Sequence, residues 1–138
     1  MGLPFPKWNP LFNSYFADLK ARAKNRGIPF SLTKDETYNV ITQDCFYCGQ
    51  PPSQVTKKKR YKGEFIHSGL DRVCSRLPYS SDNIVACCIV CNVMKNTFSF
   101  SMFLQQIRRI NKHHEKTKHS RTDLQDEVYG PFKKRIMR

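Results

Sequence analysis

The sequence predicts a small α+β domain whose fold is pinned by four cysteines, and three observations carry that reading. Two Cys-x2-Cys pairs, Cys45/Cys48 and Cys88/Cys91, are separated by 39 residues. Two short β-patterned stretches, EFIHSGLDRV and NIVAC, run into a helical pattern that begins at the second pair. Helical patterns also flank this centre, LFNSYFADLKARAKNRG before it and SMFLQQIRRINKHHEK after it. A chain of 138 residues has material for one modest core and not comfortably for two, so a single domain is expected over residues 1–138.

Taken in order, the first ten residues are Pro-rich and irregular, with Phe5 and Trp8 expected to fold back as an anchor. From 11 to 27 the apolar residues Leu11, Phe12, Tyr15, Phe16, Leu19 and Ala23 recur at helical spacing, and Gly27 suits the left-handed stop. IPFSL reads as extended. TKDE is a capping box, with Thr33 as N-cap and Glu36 reaching back, so a short helix should run to about Thr42. CFYCG is a tight turn, and QPPSQVTKKKRYKG, with its prolines and cations, reads as an exposed loop. EFIHSGLDRV is expected to be one strand bent at Gly69, SRLPYSSDN a loop and NIVAC a second strand. Helix follows from Cys88 through Val90, Cys91 and Met94. A last helix shows Met102, Phe103, Leu104, Ile107 and Ile110 on one face, before a basic tail ending KKRIMR. There is no internal repeat. The parts are thus an arm and basic helix over 1–30, a core over 31–110 and a basic tail over 111–138.

Charge narrows the partners. Lys and Arg number 24 against 11 Asp and Glu, a formal net charge of +13. A cationic excess of that size repels itself unless it meets an anionic partner, and nucleic acid is the natural one, an acidic membrane surface the second. The cationic run Lys57, Lys58, Lys59, Arg60 is the densest candidate contact, and its plain alternative is a solvated loop. No apolar run approaches the roughly 20 residues that span a bilayer. The opening MGLPFPKWNP lacks the order of a secretory signal, and Pro6 spoils a myristoylation match. A reducing, intracellular setting is therefore expected, where clustered cysteines serve as metal ligands more often than as disulfides.

Each Cys-x2-Cys turn aims two sulfurs the same way, so two turns can complete one tetrahedral Zn²⁺. The alternatives are buried free thiols or a redox pair, and the duplication of the spacing argues against both. Cys87 should point away from Cys88 into the core, and Cys74 has no partner at ligand spacing. Four thiolates close the metal, so this zinc is structural and any chemistry must come from elsewhere.

The motifs CFYCG, GLDRVCSRLPYSSDNIVACC and CNVMKN together resemble the HNH endonuclease family, the ββα-metal nucleases, in the four-cysteine zinc form of phage and mobile-element proteins. The resemblance covers about residues 31 to 110. It implies a ββα-metal core with flanking helices, acting on double-stranded DNA in the cytoplasm of a bacterial or phage-infected cell. By the same resemblance Asp71 and Asn92 are ligands of a catalytic divalent ion, with Asn96 an occasional third. Asn83 braces the loop between the strands, and Lys95 meets the scissile phosphate. An i, i+4 spacing sets Asn92 and Asn96 on one helix face. Zinc fixes the helix start at Cys91 and so delivers Asn92. The hard oxygens of Asp71 and Asn92 suit Mg²⁺ or Mn²⁺.

Arg72 departs from the family pattern, which has a histidine base there; arginine stays charged and cannot take the proton. His67 stands four strand residues from Asp71, about 13 Å along an extended chain, too far to replace it. Cys74 occupies a position where the family has an acid or amide. Two readings remain open: an endonuclease in which Arg72 clamps phosphate and metal-bound water needs no protein base, or a zinc-stabilised DNA-binding protein that does not cut. A purely structural module has only small size in its favour.

Overall fold

The computed structural model describes residues 9–116, which fall into two compact units that divide between Thr97 and Phe98. Phe5, Trp8 and the tail beyond residue 116 lie outside the described residues.

The first unit opens with α1 (Pro10–Asn25). Its N-cap is Asn9, whose side chain accepts from the backbone N–H groups of Leu11 at 2.8 Å and Phe12 at 3.3 Å. Pro10 stands where no N–H is needed. The buried residues are Leu11, Phe12, Tyr15, Phe16, Leu19 and Ala23, the stripe the periodicity marks. The helix stops on Gly27 at φ +67°, with the Gly27 N–H on Lys24 O and the Ile28 N–H on Ala23 O, a Schellman closure. Helix α2 (Lys34–Ile41) begins with the expected capping box: Thr33 N–H donates to Glu36 Oε2 at 2.8 Å, and Glu36 N–H to Thr33 Oγ1 at 3.2 Å.

The strands correct the sequence reading twice. Residues 64–73 do not form one strand bent at Gly69; they form β2 (Phe65–His67) and β3 (Gly69–Arg72), which belong to different sheets. The break is Ser68, buried, whose N–H donates to Ile41 O and whose hydroxyl donates to Gln43 O, both at 2.7 Å. Bonds to the end of α2 therefore replace ladder bonds there. The stretch taken for a loop contains β1 (Gln54–Thr56), antiparallel to β2 with Val55 opposite Ile66. The second sheet pairs β3 with β4 (Ile84–Cys87), Gly69 opposite Cys87 and Asp71 opposite Val85. A Cβ on Gly69 would meet Gln54 Nε2 at 2.7 Å and Cys87 O at 3.1 Å, so glycine admits the close passage between the two sheets.

The α1 stripe packs with Leu32, Ile41, Phe65, Leu70 and Ile84 in one core. Phe12 sets its ring edge-on to Phe65 at 5.9 Å and Tyr38 at 5.3 Å. A second cluster, built from Cys45, Cys87, Cys88 and Cys91, sits where the 45–48 turn meets β4 and α3 (Ile89–Lys95). The second unit contains α4 (Phe100–Lys116). Of its five expected face residues Phe103 is buried, Leu104 and Ile107 are half-buried, and Met102 and Ile110 are exposed.

Candidate functional site

Local hydrogen bonds build the four-cysteine cluster. Cys45 N–H donates to Gln50 O and Gly49 N–H to Cys45 O, both at 2.8 Å, and Gly49 takes φ +76°, which closes the turn. Phe46 N–H donates to Ala86 O at 2.9 Å and docks the turn against β4. Across from it Cys88 is the N-cap of α3, its Sγ accepting from Cys91 N–H at 3.4 Å. The sulfurs of Cys45, Cys48, Cys88 and Cys91 all lie within 4.8 Å of one another, and Cys48 and Cys88 are 3.8 Å apart. Tetrahedral zinc with Zn–S bonds of about 2.3 Å has sulfur–sulfur edges of about 3.8 Å, so the cluster fits a metal such as zinc.

The thiols titrate accordingly. Burial pushes Cys45 up, but hydrogen bonds from the backbones of Cys88, Cys48 and Tyr47 outweigh it and bring the thiol down to about 6. Burial pushes Cys88 and Cys91 up, and neighbouring cysteines add to the rise. Cys87 is fully buried beside the cluster and its Sγ is turned to the Cys88 carbonyl. Burial raises its thiol as well, so it packs as a neutral group. Half-buried Cys74 lies outside the cluster.

Next to the cluster, β3 and α3 meet at Asp71. Tyr47, between the two cysteines of the first turn, donates its hydroxyl to Asp71 Oδ2 at 2.6 Å. Lys95 Nζ lies 3.0 Å from the same oxygen and donates to Arg72 O at 3.1 Å. Both contacts fall on Oδ2, and among the described residues Asp71 Oδ1 takes no hydrogen bond. Lys95 corrects the sequence reading. Its side chain is 0% exposed and spent on two internal acceptors, so it does not reach a phosphate from this position. Burial pushes the Tyr47 hydroxyl up and the Asp71 carboxylate adds to the shift, so the phenol remains a donor.

Asn92 is half-buried on α3, directly after Cys91, and shares the helix face of Lys95 by i, i+3 spacing. Asn96 is the exposed C-cap of α3 at φ 50°, and its N–H donates to Asn92 O at 3.0 Å, so it stands one turn beyond Asn92. Asn83 is buried and holds the β3–β4 loop: Oδ1 accepts from Cys74 N–H at 2.9 Å, and Nδ2 donates to Cys74 O and Pro78 O.

Arg72 works on the same loop. Its Nη1 donates to Ser75 O and Leu77 O, each at 2.8 Å, and the guanidinium lies 5.1 Å from the Tyr79 ring centre. It is committed to backbone carbonyls rather than held out as a clamp. His67 is buried between Tyr15 and Phe65, with Nδ1 on Ser68 O at 2.8 Å and Nε2 on Thr56 Oγ1 at 2.9 Å. A carbonyl on Nδ1 fixes the proton there, leaving Nε2 to accept from the threonine. Burial lowers the pKa of this imidazole, and both its nitrogens are engaged.

In the cationic run, Lys57 is paired with Glu64 at 2.8 Å and Lys58 with Asp18 at 2.9 Å. Among the described residues Lys59 and Arg60 have no acidic partner and are exposed. Tyr47 is the site residue that sequence reasoning missed: nothing local links it to Asp71, 24 positions away.

No protein-family model matches the chain. The "Uncharacterized protein R423" of Acanthamoeba polyphaga mimivirus is 28% identical over 131 residues, 95% of this chain, and this chain spans about 22% of that protein's length. Among solved structures, the rare-cutting HNH restriction endonuclease PacI is similar with a TM-score of 0.53 and 19% identity, over 87% of this chain and 94% of that one. At that identity the likeness is one of fold. Among the described residues the chain is a small α+β fold of four helices and two small antiparallel sheets with a four-cysteine cluster, and its fold is similar to that of this HNH endonuclease. No helix among the described residues is long and apolar enough to cross a membrane.

Proposed function

We propose that this chain, which has the fold of an HNH endonuclease, binds double-stranded DNA and hydrolyses its phosphodiester bonds with a divalent ion. The observation that carries the reading is the Asp71 carboxylate. One oxygen is held by Tyr47 and Lys95, the latter from the helix that also bears Asn92, and the other takes no hydrogen bond from the described residues. A carboxylate oriented by outer hydrogen bonds and open at one oxygen is the arrangement of a metal ligand. With the Asn92 amide oxygen it forms a hard donor set that suits Mg²⁺ or Mn²⁺, and such an ion, when bound, polarises the scissile phosphate and acidifies a water.

The chain's own residues do the rest. Cys45, Cys48, Cys88 and Cys91 would hold Zn²⁺, which would fix the start of α3 and the position of Tyr47 between two of its ligands. Tyr47 and Lys95 orient Asp71, while Asn83 and Arg72 fix the β3–β4 loop. Zinc held by thiolates needs reduced cysteines, so we expect the protein in a reducing compartment.

A second reading, a DNA-binding protein that does not cut, is favoured by two specific contacts. The Lys95 ammonium already neutralises Asp71, and Arg72, where the family has its base, is bound to carbonyls. Plasmid nicking in Mg²⁺ or Mn²⁺, with EDTA as control, separates the two. Asn92→Ala is the informative variant, because Asn92 supports no buried pair, whereas Asp71→Ala would strand the Lys95 charge. The endonuclease reading expects cutting by the wild type, loss of cutting in Asn92→Ala, and unchanged zinc content and DNA affinity. Arg72→His, which supplies a group titrating near 6.5, is expected to raise the rate. DNA binding without cutting in either metal, by wild type and Arg72→His alike, establishes the second reading instead.

A further inference from the structure

We propose that the cleft between the first turns of α1 and the loop at residues 57–61 docks a backbone phosphate of duplex DNA, with Lys59 and Arg60 as its ligands. This rests on the DNA-binding reading above and names where and how the chain grips the duplex.

The cleft, of about 570 Å³, is lined by Asn13, Ser14, Lys58, Lys59, Arg60 and Tyr61 among others. Its two walls are tied together by the ion pair of Lys58 with Asp18 on α1, at 2.9 Å. That pair neutralises Asp18, and Lys57 is likewise spent on Glu64. Among the described residues the two cations that follow, Lys59 and Arg60, meet no carboxylate, so the cationic run divides into a pair that shapes the loop and a pair left for a ligand. On the other wall the first turn of α1 carries no acidic residue, so beyond the neutral Asn9 cap the positive end of this 16-residue helix meets no carboxylate of its own. A phosphodiester bridging Lys59 and Arg60 gives both cations the anionic partner that the described residues do not supply.

The test is fluorescence anisotropy of the full chain with a labelled duplex between 50 and 250 mM salt. Two phosphate contacts contribute about 1.8 to the log–log salt slope, equivalent to about 30-fold in affinity at 0.15 M. The Lys59→Ala/Arg60→Ala pair is expected to lose that much of both. Ser14→Glu, which removes no cation but sets a carboxylate in the cleft, is expected to weaken binding by at least ten-fold. The Lys34→Ala/Arg108→Ala pair removes the same charge outside the cleft and is expected to change affinity less than three-fold. Melting curves check that each variant is folded. Equal losses from both alanine pairs mean a diffuse field and overturn the site, as does a Lys59/Arg60 variant with the wild-type slope. A wild type that binds no duplex at any salt overturns the DNA reading itself, and the site with it.

Discussion

Replacing Lys95 by methionine keeps most of the side chain's length and removes its ammonium. Lys95 is 0% exposed, and its Nζ serves two acceptors, Asp71 Oδ2 at 3.0 Å and Arg72 O at 3.1 Å. The variant leaves Asp71, whose side chain is 7% exposed, with the Tyr47 hydroxyl as its one donor, and leaves the Arg72 carbonyl without Lys95. Breaking a buried ion pair from one side costs about 3–5 kcal/mol, because the remaining charge stays desolvated. Methionine fills a similar volume, so a cavity adds little. At roughly 3–5 °C per kcal/mol for a chain of this size, the melting temperature should fall by about 10–20 °C. The assay is thermal unfolding by circular dichroism at saturating zinc, with metal content measured alongside. Adding Asp71→Asn removes the stranded charge, so the double variant should be less destabilised than the two single losses combined, with a coupling of about 1–3 kcal/mol. Melting within about 2 °C of wild type would refute the buried pair. If that variant also lost DNA affinity, Lys95 would be the phosphate contact that its sequence position first suggested.

Three further outcomes follow from the same contacts. Cys48→Ser should lose its metal and unfold, since structural zinc contributes folding energy outright, whereas Cys87→Ser should keep a full complement by metal analysis. Tyr47→Phe removes a 2.6 Å hydrogen bond to a carboxylate and should cost about 1.5–3 kcal/mol in urea unfolding; wild-type stability would show that this bond does not form. Burial holds the His67 pKa below its ordinary 6.5, so the unfolded chain takes up a proton that the folded one refuses. This contribution to stability is full above about pH 6.5 and is lost as pH falls below it, by at most about 1.4 kcal/mol per pH unit. His67→Phe should lack that part of the slope at fixed zinc, and identical slopes for the two proteins would reject the assignment.

The sequence alone determined whatever neighbours along the chain enforce. The α1 stripe, the Thr33–Glu36 capping box and the Gly27 stop each close within about one or two helical turns, so periodicity and side-chain chemistry suffice to read them. The four-cysteine cluster was legible for the same reason, because each Cys-x2-Cys turn is a local device and its repetition suits one shared metal. Tertiary structure decided the rest. The pairing that makes Gln54–Thr56 a strand comes from residues 65–67, and the end of α2 is what draws Ser68 out of the ladder. Asp71 receives Tyr47 from 24 positions before it and Lys95 from 24 positions after it, and no pattern along the chain marks either partner. The same holds for Lys95 and Arg72, two cations that the sequence turns toward phosphate and the fold turns inward. Lys95 is desolvated and held by one buried carboxylate and the Arg72 carbonyl, while half-buried Arg72 gives Nη1 to two carbonyls of the loop that follows it.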